Sequence, residues 1–249
     1  MARVDDYRAE LRALGDWEPY LNERSGLPGP RANLELLAAV VEEAPAAVAW
    51  RLARGGDGYP AMCGVAALGR LAAEGDADAV PELRRRASDP DWRMREAVAM
   101  GLQRLGDAST EALFDVLERW AGGTPLERRA AVAAACEPRL LRDPAVARRA
   151  LALLDRITAS LAAGPDRRRD EVRVVRQALG YGWSVAIAAL PDEGRPAFER
   201  WLHTGDPDVR WVVRENLRKR RLHRIDPQWV ATMRDRLEKE GAPTRRESG

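Results

Sequence analysis

Lysine is almost missing from this chain: its 41 basic residues include only Lys219 and Lys239, and arginine makes up the rest. Nearly every cationic contact therefore falls to a planar donor that can bond in two directions, suited to carboxylate and phosphate. Arginine, alanine, glycine and proline are also what a GC-rich coding bias favours. Cysteine is as scarce. Cys63 and Cys136 lie in apolar helical patterns, where a free thiol behaves as a small hydrophobe, and neither belongs to a C-x-x-C pair. His203 and His223 are the only histidines, so no zinc spacing exists and no metal or cofactor is expected.

Net charge is nearly absent too, at +2 with charged residues making up 32% of the chain. No global field steers it towards nucleic acid or membrane, so a claim of either must rest on local clusters. No apolar run approaches the roughly 18 residues of a membrane span. The start MARVDDYRAE lacks the apolar core of a signal peptide, and a cytoplasmic location is expected. There is no phosphate-binding Gly-Lys-Ser/Thr loop, no G-x-S-x-G elbow and no H-E-x-x-H pair. Sustained alternation of apolar and polar residues is missing as well, which argues against strands.

What the chain has is helical periodicity that repeats. The stretch 89–107, DPDWRMREAVAMGLQRLGD, opens with Asp89-Pro90-Asp91 as cap and first turn, and Gly106 is expected to close it. Met94, Ala97, Val98, Gly101, Leu102 and Leu105 form one stripe. Shifted back by 34 residues, Leu68 falls on Leu102; shifted forward by 34, Cys136 does, with Arg129 on Arg95. Further copies begin at Val175 and Val213. Partner helices are expected over 77–86, 110–120, 145–161, 194–202 and 227–237. Before them, 1–32 reads as a helical cap with a Pro/Gly-rich turn, and Asn33 as the cap of the next helix. The array spans 33–240, and 241–249 reads as a disordered tail.

The pattern from Met94 to Gly106, apolar-Arg-x-x-Ala with a closing Leu-Gly, resembles the second helix of a HEAT repeat, and Asp206-Pro207-Asp208-Val209-Arg210 resembles that family's opening. The resemblance covers roughly 33–240. It implies an all-α fold, a right-handed α-α superhelix of about five to six repeats with a concave face lined by second helices. It also implies capping or salt-bridge duty for Arg95, Arg129, Arg210, Asp89, Asp91, Asp206 and Asp208.

Measured against that repeat, Arg176 and Arg214 stand out, because they align with Ala99 and Ala133. Arg169, Arg173 and Arg176 form one row at helical spacing, and Arg210, Arg214, Arg218 and Arg221 a second. From Arg210 to Arg224 seven basic residues face one acid, Glu215. Trp211 is interleaved with the second row, where it can stack a base or a cation. Arg173, Arg176, Arg210, Arg214, Arg218, Arg221 and Trp211 are the expected binding groove. The partner is an anionic macromolecule, either an acidic protein segment or duplex DNA. Asn216 replaces a small residue in the apolar stripe and needs buried partners, which a neighbouring backbone carbonyl can supply. Trp92, Trp183 and Trp211 are expected to be exposed, and Trp50, Trp120, Trp201 and Trp229 to be core.

The function expected is that of a binding scaffold. The alternative is a DNA glycosylase, since the chain also resembles, at the level of fold, the HEAT-like DNA alkylation repair enzymes. Those hold DNA against tryptophans and a catalytic aspartate. Here only Trp92 with Glu96 and Trp211 with Glu215 come near that arrangement, with Glu for Asp, and no catalytic residue is carried over.

Overall fold

The computed structural model describes residues 2–29, 31–56, 58–163 and 169–241, and their regular structure is entirely helical. Asp166 and residues 242–249 of the expected tail lie outside this set, while Gly241 ends the last helix. Two compact units are formed, Met1–Val116 and Leu117–Gly249.

The first unit holds α1 (Ala2–Arg12), α2 (Glu18–Glu23), α3 (Leu34–Glu43), α4 (Ala46–Arg54), α5 (Tyr59–Ala73), α6 (Ala79–Arg86), α7 (Trp92–Ala108) and the start of α8 (Thr110–Trp120). Asn33 caps α3 by accepting from the Leu36 amide, as its position in sequence predicts. At the centre is α5, apolar on every side, with twelve of its fifteen residues buried. A helix of that kind belongs in a core. It packs against α3, α4 and α7. The crossing with α7 is close because Gly69 has no side chain: a Cβ there would fall 1.8 Å from the carbonyl oxygen of Gly101. Helix α7 corrects two details of the sequence reading. Its cap is Asp91, which accepts from the Arg93 amide, so Pro90 sits outside the helix. Gly106 does not close it, because the Leu105–Gly106 face is buried and the last turn runs on to Ala108.

The second unit holds the rest of α8, α9 (Pro125–Ala135), a short 3-10 turn, α10 (Pro144–Ala162), α11 (Asp170–Ala189), α12 (Pro191–Glu199), α13 (Pro207–Leu217), α14 (Arg220–Ile225) and α15 (Pro227–Gly241). Its centre is α11, packed against α9, α10, α12 and α13. A Cβ on Gly180 would meet the Trp211 ring at 2.7 Å, so the glycine is what lets α13 lie against α11. Trp183, expected to be exposed, is fully buried. Its indole donates to Thr158 Oγ1 at 3.0 Å and its ring packs on Phe198 at 5.4 Å. The reason is that α11 runs far beyond the repeat motif, and its C-terminal half is enclosed by α10 and α12.

Arginine has a recurring task in both units. Arg70 donates to Val41 O at 2.7 Å, Arg86 to Ala53 O at 2.6 Å, and Arg156 to Glu118 O at 3.0 Å. Each accepting carbonyl belongs to the last turns of another helix, where backbone acceptors are unpaired and the dipole is negative. A guanidinium satisfies that end while tying two helices together. Arg95 instead braces the loop that leads into its own helix, donating to Asp89 O and Pro90 O at 2.6 and 2.9 Å.

Candidate basic cleft

The two units differ in charge. Met1–Val116 carries 14 arginines and 20 acidic residues, whereas Leu117–Gly249 carries 27 basic and 19 acidic ones. The near-neutral total thus hides an acidic unit and a basic one, a division that cannot be drawn before the boundary is known.

In the basic unit, α13 begins with Asp206 as its cap, accepting from the amides of Asp208 and Val209, and Pro207 in the first turn. Val209, Val212, Val213, Asn216 and Leu217 are buried, which leaves Arg210, Arg214 and Arg218 one turn apart on the outward face. With Arg234 and Glu238 of α15 they line a cleft of about 530 Å³, whose remaining walls are Leu217 and Leu237.

The four arginines fall into two pairs. Arg210 donates to Leu237 O at 2.6 Å and Arg234 to Leu217 O at 2.9 Å, so each helix is tied by the other at its C-terminal end. These two are fixed posts. Arg214 is exposed and, among the described residues, has no hydrogen-bond or ion-pair partner. Arg218 is 63% exposed and holds only a 3.5 Å contact with Glu215. That carboxylate is committed mainly to Lys219, at 2.6 Å, and this hydrogen bond holds its pKa below the usual carboxylate range. Two guanidiniums one helical turn apart are therefore available to a ligand between two that are not.

The other expected groove residues lie elsewhere in this unit. Arg176 reaches from α11 to Asp208 Oδ1 at 2.6 Å and stacks on the Trp211 ring at 4.9 Å. It thus ties successive repeats together. Trp211, covered by Arg176 and backed by Gly180, is half-buried. Arg173 is exposed with a loose 3.5 Å contact to Asp170, and Arg169 pairs with Glu171 at 3.1 Å. Arg221 does not continue the row of α13. That helix ends at Leu217, and Arg221 belongs to α14, which the periodicity missed, where it lies over Tyr181 at 4.6 Å and donates to its hydroxyl at 2.8 Å. The sequence signal for the break is weak, because the basic run 218–221 contains neither Gly nor Pro.

Asn216 is fully buried between α13 and α11. It accepts from the Ser184 amide at 2.8 Å and donates to Leu179 O at 2.9 Å and Val212 O at 2.8 Å. Its position in the stripe is structural, as the need for buried partners predicts. Of the two Trp–Glu pairs, Glu215 is engaged by Lys219, and Trp92 is 53% exposed with Arg93 over its ring at 4.7 Å. Among the described residues no group of His, Cys, Asp and Glu is placed to hold a metal ion, and no helix is long and apolar enough to cross a membrane.

A family model for HEAT repeats matches residues 47–137. No curated protein and no solved structure matches the chain significantly. The match spans α4 to α9, and beyond it α11 packs on α9 and α13 on α11 as successive second helices, with a side-chain cap on α13 alone of the two. Residues 47–137 are thus HEAT repeats, and the wholly helical regular structure of the described residues is consistent with an α-solenoid of such repeats.

Proposed function

We propose that this HEAT-repeat protein is a binding scaffold whose basic C-terminal cleft recognises an anionic macromolecule. The observation that carries this reading is the contrast within the cleft: Arg210 and Arg234 are spent on helix ends, while Arg214 is unpartnered among the described residues and Arg218 nearly so. Like charges held this close repel one another, and an anion between them relieves that cost. Charge-assisted bonds to a guanidinium are about twice as strong as neutral ones, so two free arginines suffice for salt-sensitive binding.

The test is fluorescence anisotropy with labelled polyglutamate and labelled duplex DNA, titrated from low to high salt. Binding of at least one probe that weakens as salt rises is expected. Failure of both at low salt overturns the proposal. Release of an alkylated base from bound DNA, lost in Glu215→Gln, would instead support the glycosylase-like alternative.

A further inference from the structure

We infer that the ligand of this cleft is an acidic helical segment of a partner protein, presenting two carboxylates one turn apart to Arg214 and Arg218. The inference rests on the reading of the cleft as an anion site and names its occupant.

Three features of the cleft select that class. Its free charges are few: four arginines line it, but Arg210 and Arg234 are neutralised in part by the helix C-termini they bind, and Glu238 adds a carboxylate. Duplex DNA draws its affinity from many phosphate contacts, each releasing about one counterion, and two contacts release about two. That is a weak duplex site. An acidic segment needs no more than these two, because each guanidinium can hold one carboxylate through paired hydrogen bonds.

The second feature is spacing. Arg214 lies on α13 and Arg218, four residues on, is its C-cap and still has helical backbone, which sets their Cβ atoms about 5–6 Å apart. Carboxylates at i and i+4 of an opposing helix have the same separation. The third is shape. The cleft is a furrow between two packed helices, α13 and α15, with Leu217 and Leu237 between the arginine walls. Helix-in-groove recognition uses such a furrow. An apolar residue between the two carboxylates covers the arginine methylenes, which a phosphate backbone cannot do. Residues 241–249, GAPTRRESG, carry two arginines and one acid and do not complement the site.

The experiment uses the full chain and two labelled alanine-leucine helical peptides of about 20 residues, long enough to be helical in water. One carries glutamates at i, i+4 and i+8; the other has the same composition with its glutamates consecutive. Duplex DNA is the third probe, and each is measured on wild type and on Arg214→Ala/Arg218→Ala. Both side chains are exposed, and retention of the wild-type circular dichroism and melting curve shows that the fold is unaffected. The spaced peptide is expected to bind wild type at least about tenfold more tightly than the consecutive one, and to lose that advantage in the double variant. Equal binding of the two peptides overturns the claim of register. Binding of DNA alone, through the same two arginines, overturns the acidic helix while leaving the anion site standing. No binding of any probe at low salt overturns both.

Discussion

Replacing Asn216 by leucine tests how the repeats of the second unit are held together. The two side chains are similar in size, so the change removes hydrogen bonds without opening a large cavity. The Ser184 amide then loses its acceptor, and Leu179 O loses the donor that reaches it from α13. Val212 O is less affected, because it lies one turn before Asn216 in the same helix and keeps a backbone donor. A buried donor left without a partner costs about 1–3 kcal/mol, and the partial loss at Leu179 brings the total to about 2–4 kcal/mol. For a unit of this size that lowers Tm by about 10 °C. Denaturant unfolding followed by tryptophan fluorescence measures the loss, with Trp183 as a buried reporter beside the site. Hydrogen exchange adds a local reading, since the Ser184 amide should lose protection before its neighbours in α11. An unchanged midpoint together with a still-protected Ser184 amide would refute the reasoning. Asn216→Asp supplies a signed control. In Asn216→Asp one carboxyl oxygen keeps the Ser184 amide but the other is turned towards two carbonyl oxygens in a buried site, which favours the neutral form, so the folded pKa rises above the unfolded value of about 3.9. The penalty relative to wild type is then small at acid pH and grows as pH rises through the folded pKa.

Other outcomes follow from separate contacts. Gly69→Ala drives a Cβ to 1.8 Å from a backbone oxygen of α7, which cannot yield as a side-chain end can, and the first unit should lose more than about 3 kcal/mol in chemical denaturation. Glu43 accepts from Arg8 and Arg12, and the Arg12 hydrogen bond chiefly lowers its pKa to about 2. Because this folded pKa lies below the unfolded one, the pair's stabilisation is complete above about pH 4.5 and fades as pH falls towards 2. An acid titration of Tm should therefore show a smaller decline in Glu43→Gln than in wild type. Burial pushes the thiols of Cys63 and Cys136 up, that of Cys136 to about 12, so both should resist maleimide in the folded protein and react once it is unfolded.

The fold was legible in the sequence because a repeat offers several copies of each signal. Asp91, Thr124 and Asp206 each cap a second helix, and the stripe from Met94 to Leu105 recurs closely enough to be counted. Asn216 was legible as structural for a simpler reason, since a buried amide must find partners and a neighbouring backbone always has them. Trp183 was not legible, because periodicity says which residues share a face and not which helix covers it. The arginines were harder still. Arg210, Arg214 and Arg218 look alike at helical spacing, yet the first ties a helix end, the second is free among the described residues and the third is loosely held. That distinction depends on α15, about twenty residues away in sequence. The break before α14, which removes Arg221 from the row, has no Gly or Pro to announce it.

Arginine scarcely varies in this chain as a residue type, but its surroundings do. The scaffold account therefore stands on position and not on total charge. The measurement that tests it most directly compares the affinity of the spaced acidic peptide for Arg214→Ala/Arg218→Ala with that for Arg173→Ala/Arg224→Ala, at one salt concentration. Both double variants remove two exposed arginines from the same unit, and only the first pair lines the cleft. The account predicts a loss of about tenfold or more for the cleft pair and less than about twofold for the other. Equal losses in the two variants would contradict it, because binding would then follow the unit's overall charge.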